Sequence, residues 1–131
     1  PDTFYDHLGY YAKVDIALDP FPLNGVTTTF QALWMGVPVV SLAGETFCSR
    51  AAGAILHNLD LGDLAVETPE AYVECAQELA GDLTQLEALR ATLRERIIAS
   101  PLIDTPAHTR SVETAYREMW RKWCVGQHPM T

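Results

Sequence analysis

An α/β domain on a parallel sheet, ending in helices, is the fold class this sequence predicts. Three observations point to it. Two short apolar runs, residues 14–18 and 37–42, flank a helix-length segment, as parallel strands joined by a crossover helix do. The turn PFPLNG and the hydroxyl run Thr27-Thr28-Thr29 stand between the first run and that helix. From Thr68 onward the chain reads as successive helices with no further strand.

Residues 14–18 (VDIAL) form a short run expected to be a buried strand. Pro20, Pro22, Asn24 and Gly25 then make a turn-rich connection. Residues 27–35 read as a short helix, with Gly36 as its stop and Pro38 just beyond. Residues 37–42 (VPVVSL) are almost continuously apolar, as in a parallel strand covered on both faces. Ala43, Gly44 and Glu45 turn the chain into a second helix over about residues 46–58, and a weak strand is expected within 59–66. Thr68 is a good N-cap, Pro69 takes the first helical position and Glu70 the first turn, so a helix runs to about residue 80. Leu83, Leu86, Leu89, Leu93 and Ile97 recur at helical spacing and predict a helix over 83–99. Ser100-Pro101 breaks it, and Thr105-Pro106 opens a last helix to about residue 124. Residues 1–131 are read as a single domain, with few strands for a complete doubly wound sheet.

Composition narrows the function classes. The chain has 131 residues, enough for one real core, and 48% of them are apolar. A net charge of −8 argues against a nucleic-acid partner, because phosphate backbones need a basic patch. Cys48, Cys75 and Cys124 are odd in number and far apart, so neither a metal site nor a disulfide frame is expected, and a reducing, cytoplasmic setting is. No apolar run reaches the length of a membrane span, and no signal peptide shows. The first residue is Pro1 rather than methionine, so a piece of a longer polypeptide is expected.

The chemistry is expected at the helix that begins with the threonines. A helix N-terminus just past the carboxyl end of a strand offers free N–H groups and a favourable dipole to a phosphate. One threonine often does no more than cap a helix, and from the residues alone phosphate binding and capping stand nearly level. Three in a row after Asn24-Gly25 exceed what a cap requires. His57, His108 and His128 read as ordinary helix or tail residues. Glu45 reads as an acid near a helix start. Met119, Trp120 and Trp123 form an apolar stripe, either core or a surface that associates with another.

The segment DPFPLNGVTTTFQALWMGVPVV, then GETFCSR, RERIIASPLIDT and YREMWRKW, resembles the C-terminal catalytic lobe of the O-linked N-acetylglucosamine transferase family, glycosyltransferase family 41. It is similar to the bacterial members, in which tetratricopeptide repeats precede the transferase. The resemblance covers about residues 7–123. It implies a partial Rossmann-like sheet, the second half of the C-terminal lobe of a GT-B fold. It also implies that Thr27 and Thr28, with Thr29 beside them, bind the diphosphate of a nucleotide-sugar donor, and that Asn24 and Gly25 open that loop. His7 matches a base contact and Gln31 a ribose contact. Asp19, Glu45 and Arg50 match positions read as organising loops. Two departures concern the donor rather than the fold. Val26 stands where animal members carry a histidine. Gln31 stands where members usually have an acid, so any ribose bond lacks charge assistance.

The family's general-base candidates and the lysine that neutralises the leaving diphosphate lie outside this chain, and Lys13 and Lys122 do not match that lysine's motif. The resemblance therefore implies a donor-binding segment with no catalytic residue and no cofactor of its own, inactive when isolated. Its parent would be a transferase acting on protein Ser/Thr hydroxyls. UDP-N-acetylglucosamine is the first donor it implies, with UDP-glucose and GDP-fucose as the others in the family. The alternatives are a non-catalytic nucleotide- or protein-binding module and an unrelated Rossmann-like enzyme. The last is disfavoured because no GxGxxG is present. A piece cut within its sheet is expected to leave an exposed edge and to self-associate.

Overall fold

The structure is a computed structural model that describes residues 3–126. His128 lies outside the described residues. The chain divides into two compact units, Pro1–Ser100 and Pro101–Thr131.

The first unit opens with a helix absent from the sequence-based reading, α1 (Phe4–Gly9), capped where Asp6 N–H donates to Thr3 Oγ1. A 3-10 turn, Tyr10–Lys13, follows. Then come β1 (Ala17–Leu18), α2 (Thr27–Trp34), β2 (Val39–Leu42), α3 (Ala51–His57), β3 (Ala65–Val66), α4 (Pro69–Gly81) and α5 (Leu83–Ala99). The three strands form a parallel sheet in the order β1-β2-β3, with Ala17 beside Val39 and Ser41 beside Ala65. Parallel neighbours need crossover connections, and α2 and α3 supply them. The predicted α/β class is the observed one.

The expected strands are shorter than their apolar runs, for local reasons. β2 begins at Val39 because Pro38 has no N–H and the Val37 amide is already used, donating to Ala32 O at 2.8 Å. That bond, with Gly36 N–H to Leu33 O and Gly36 at φ +80, closes α2 in the left-handed stop its glycine foretold. β1 begins at Ala17, and Leu18 is 57% exposed rather than buried, because it lines an open cleft. The helix expected over 46–58 is interrupted. Thr46 and Ser49 form a capping box around the 3-10 turn Phe47–Ser49, and α3 starts only at Ala51.

The helices pack around the central strand. α2, α3 and α4 all touch β2, and α5 packs on α2 and α4. Leu33, Val37, Val40, Leu56 and Leu93 are fully buried there, each contributing roughly 1.5–3 kcal/mol of apolar burial. α4 starts at the predicted cap, with Ala71 N–H donating to Thr68 Oγ1 at 3.1 Å. α5 runs as its leucine spacing predicted, burying Leu86, Leu93 and Ile97. Its arginines reach back to carbonyls on the segments that lead into each strand. Arg90 donates to Val14 O and pairs with Asp15. Arg94 donates to Trp34 O and lies over the Trp34 ring. Arg96 donates to Leu59 O and Asp60 O.

The second unit is the 3-10 turn Pro101–Ile103 and α6 (Thr105–Cys124). Asp104 caps α6 by accepting from Ala107 N–H at 2.9 Å. Tyr116, Met119, Trp120 and Trp123 are all exposed on α6.

Candidate functional site

The site lies at the carboxyl end of β1, where the chain turns through residues 19–26 into α2. Its centre is Asp19, only 5% exposed. Oδ1 of Asp19 accepts from Gly25 N–H at 2.8 Å, and Oδ2 accepts from the Ser41 hydroxyl at 2.8 Å. The Asp19 carbonyl accepts from the Tyr72 hydroxyl at 2.9 Å, and its N–H donates to Val40 O. Burial raises the Asp19 carboxyl pKa, and the bonds from Gly25 and Ser41 oppose the rise. Burial also raises Tyr72, with the Asp19 charge adding to it.

Gly25 must be glycine because of crowding. A Cβ there would lie 2.9 Å from Thr29 Oγ1 and 3.2 Å from Asp19 Oδ1, and closer still to Thr28 Oγ1. Thr29 is buried, and its hydroxyl donates to Gly25 O at 3.0 Å. Thr29 therefore closes the loop, whereas the resemblance had set it beside the two diphosphate residues. Asn24 is also buried. Its amide nitrogen donates to Pro20 O at 3.3 Å, and its backbone N–H donates to Cys48 O at 3.0 Å. That second bond ties the loop before α2 to the GETFCSR segment. The Phe21-Pro22 peptide bond is cis.

Thr27 and Thr28 are exposed at the first two positions of α2. Val26, the N-cap, makes no side-chain capping bond. The first turn of α2 is thus open, with Thr27 and Thr28 exposed, the Thr28 hydroxyl lying beside Gly25, and the positive end of the helix dipole. Beside it, a cleft of about 140 Å³ is lined by Tyr11, Leu18, Asp19, Pro20 and Thr28 among others. That volume suits a phosphate-sized group, while whole ligand pockets run roughly 300–1,000 Å³.

His7 and Gln31 are brought together across 24 positions, with Nε2 3.3 Å from Oε1. The His7 and Tyr11 rings meet edge-on at 5.7 Å. Tyr11 donates to Thr28 O at 3.4 Å, and burial raises its pKa. Glu45 is exposed. Arg50 takes part in its loop through its backbone, donating to Phe47 O and accepting from Ala54 N–H. Tyr11, Ser41 and Tyr72 were missed from the sequence. Ser41 carried a signal, a hydroxyl inside an apolar strand. Tyr11 stands one helical turn after His7, and Tyr72 left no signal.

The family model for glycosyl transferase family 41 matches residues 6–112. The chain belongs to glycosyltransferase family 41. A probable UDP-N-acetylglucosamine–peptide N-acetylglucosaminyltransferase SPINDLY of Hordeum vulgare is 43% identical over 125 residues, 95% of this chain and 13% of that protein. The Arabidopsis thaliana protein SEC, of the same printed activity, is 35% identical over 95% of this chain and 13% of its own length. A mutant O-GlcNAc transferase of Thermobaculum terrenum, a solved structure, aligns with a TM-score of 0.87 and 39% identity, over 98% of this chain and 25% of that one. The family 41 chain described here thus has the fold of part of that transferase.

No group of three or more His, Cys, Asp or Glu residues that could hold a metal occurs among the described residues. No helix among them is long and apolar enough to cross a membrane.

Proposed function

We propose that this chain is the donor-binding portion of a glycosyltransferase that moves a sugar, N-acetylglucosamine from UDP-N-acetylglucosamine, onto protein Ser or Thr hydroxyls. The observation that carries the reading is the open N-terminus of α2, with Thr27 and Thr28 exposed beside a phosphate-sized cleft. Backbone N–H groups and hydroxyls held there stabilise negative charge on a diphosphate as it leaves the sugar, without rearranging first. The paired His7 and Gln31 are assigned to the base and ribose of the donor. The relatives' printed names supply the sugar and the peptide acceptor.

The chain alone is assigned binding without turnover. Asp19, the acid at the centre of the site, has both carboxylate oxygens engaged, one by Gly25 N–H of the loop and one by Ser41 of β2, so it is not free to take a proton from an acceptor. The free Cys48, Cys75 and Cys124 fit a cytoplasmic setting.

The test is Thr27→Val/Thr28→Val in the complete polypeptide that carries this chain, titrated calorimetrically with UDP and GDP. Valine keeps the shape and removes both hydroxyls. Affinity should fall by about 1.5–3 kcal/mol, the range for hydrogen bonds to charged groups. Unchanged affinity for both nucleotides would refute the assignment. A preference for GDP over UDP would move the donor to a guanine nucleotide sugar and leave the site standing.

A further inference from the structure

We propose that Ser41 and Tyr72 are positioning residues of the donor site, setting the loop that opens α2 through their bonds to Asp19. The inference rests on the diphosphate reading above. Neither residue touches the cleft. Ser41 is in the middle strand, fully buried, and its hydroxyl donates to Asp19 Oδ2. Tyr72 is on α4, 53 positions from Asp19, and its hydroxyl donates to the Asp19 carbonyl.

A carboxylate at the end of an edge strand has one soft torsion, the rotation of its own plane. Ser41 holds one oxygen and thereby aims the other at Gly25 N–H, 2.8 Å away. Tyr72 holds the backbone carbonyl, so the residue cannot slide along the strand. Gly25 is tied onward, since its carbonyl accepts from the Thr29 hydroxyl in the first turn of α2. The path runs from α4 and β2, through Asp19, to the loop whose next residues are Val26, Thr27 and Thr28. Removing the Ser41 hydroxyl leaves Oδ2 buried without that donor and frees the plane to turn. Gly25 N–H then loses a fixed partner, and the threonines lose a fixed place.

A merely structural role would lower stability and leave donor affinity alone. The experiment uses the complete polypeptide with Ser41→Ala and, separately, Tyr72→Phe, which keeps the ring and removes only the hydroxyl. UDP and GDP are titrated by calorimetry. Donor KM and kcat are measured on an acceptor protein, and thermal unfolding is followed by circular dichroism. Ser41→Ala should weaken nucleotide binding roughly tenfold, the effect of losing one hydrogen bond to a charged group. Donor KM should rise by a similar factor while kcat stays within about twofold, and Tyr72→Phe should shift both quantities the same way by a smaller factor. If Ser41→Ala does not fold, Tyr72→Phe alone decides. Nucleotide affinity equal to the parent protein's, whatever the melting temperature does, overturns the inference and leaves the donor site standing. So does a fall in kcat with KM unchanged. A parent protein that binds neither UDP nor GDP overturns both.

Discussion

Replacing Gly25 with alanine tests the loop where it is tightest. The added Cβ would stand 2.9 Å from Thr29 Oγ1, while ordinary contact begins near 3.4 Å. Something must therefore move by about 0.5 Å, the difference between those two distances. Thr28 can swing away, because it is exposed. Thr29 Oγ1 and Asp19 Oδ1 cannot move freely, since both are bonded to the backbone of Gly25 itself, at 3.0 Å and 2.8 Å. A shift of that size stretches the Thr29 bond to the limit of useful geometry, whereas Asp19 Oδ1, 3.2 Å from the added Cβ, need give only about 0.2 Å. Losing the Thr29 bond costs about 0.5–1.5 kcal/mol, and overpacking costs about 1–3 kcal/mol. We expect a loss of roughly 2–3 kcal/mol in urea unfolding and at least about tenfold in affinity for UDP or GDP. Gly81→Ala is the control, because a Cβ there meets nothing within 4 Å. Wild-type nucleotide affinity in Gly25→Ala would refute the reasoning, because the α2 entrance would then tolerate a displaced loop.

Two further predictions address the same buried acid and the last helix. Asp19 has its pKa raised in the folded state, so between about 3.9, its unfolded value, and that raised value the folded chain holds more protons than the unfolded one. Its stabilising contribution is full below that window and is lost as pH rises through it. Asp19→Asn, which keeps an acceptor for Gly25 N–H, should remove this part of the pH dependence of unfolding. An identical slope in both proteins would sink the assignment. Trp120→Ser, on the exposed stripe of α6, should reduce self-association of the 131-residue chain in sedimentation velocity. A chain already monomeric at high concentration would remove the premise.

How legible each part was follows from the range of the forces involved. α4, α5 and α6 were readable because caps, proline positions and leucine spacing act within a few residues. α5 spans Leu83–Ala99, the range expected for it. α1 went unread because its short apolar spacing carries little signal. The break at Arg50 went unread because it depends on Thr46 and Ser49 bonding to each other rather than continuing a helix. In the site, Gly25 and the threonines were legible from their order along the chain. The orientation of Thr29 was not, since only the folded loop shows its hydroxyl turned back to Gly25. Tyr72 was out of reach for the same reason, as its bond spans 53 positions.

The arginines of α5 all serve one end of the sheet. Arg90, Arg94 and Arg96 hold the carbonyls that precede β1, β2 and β3 respectively. Everything proposed to meet a ligand lies at the opposite rim. Loops at that rim can therefore be exchanged, lengthened or re-tuned for another donor while every strand keeps its starting point. The reverse does not hold. A cut that detached α5 would release all three strand entrances together, so the unit is open to variation at one end and intolerant of it at the other.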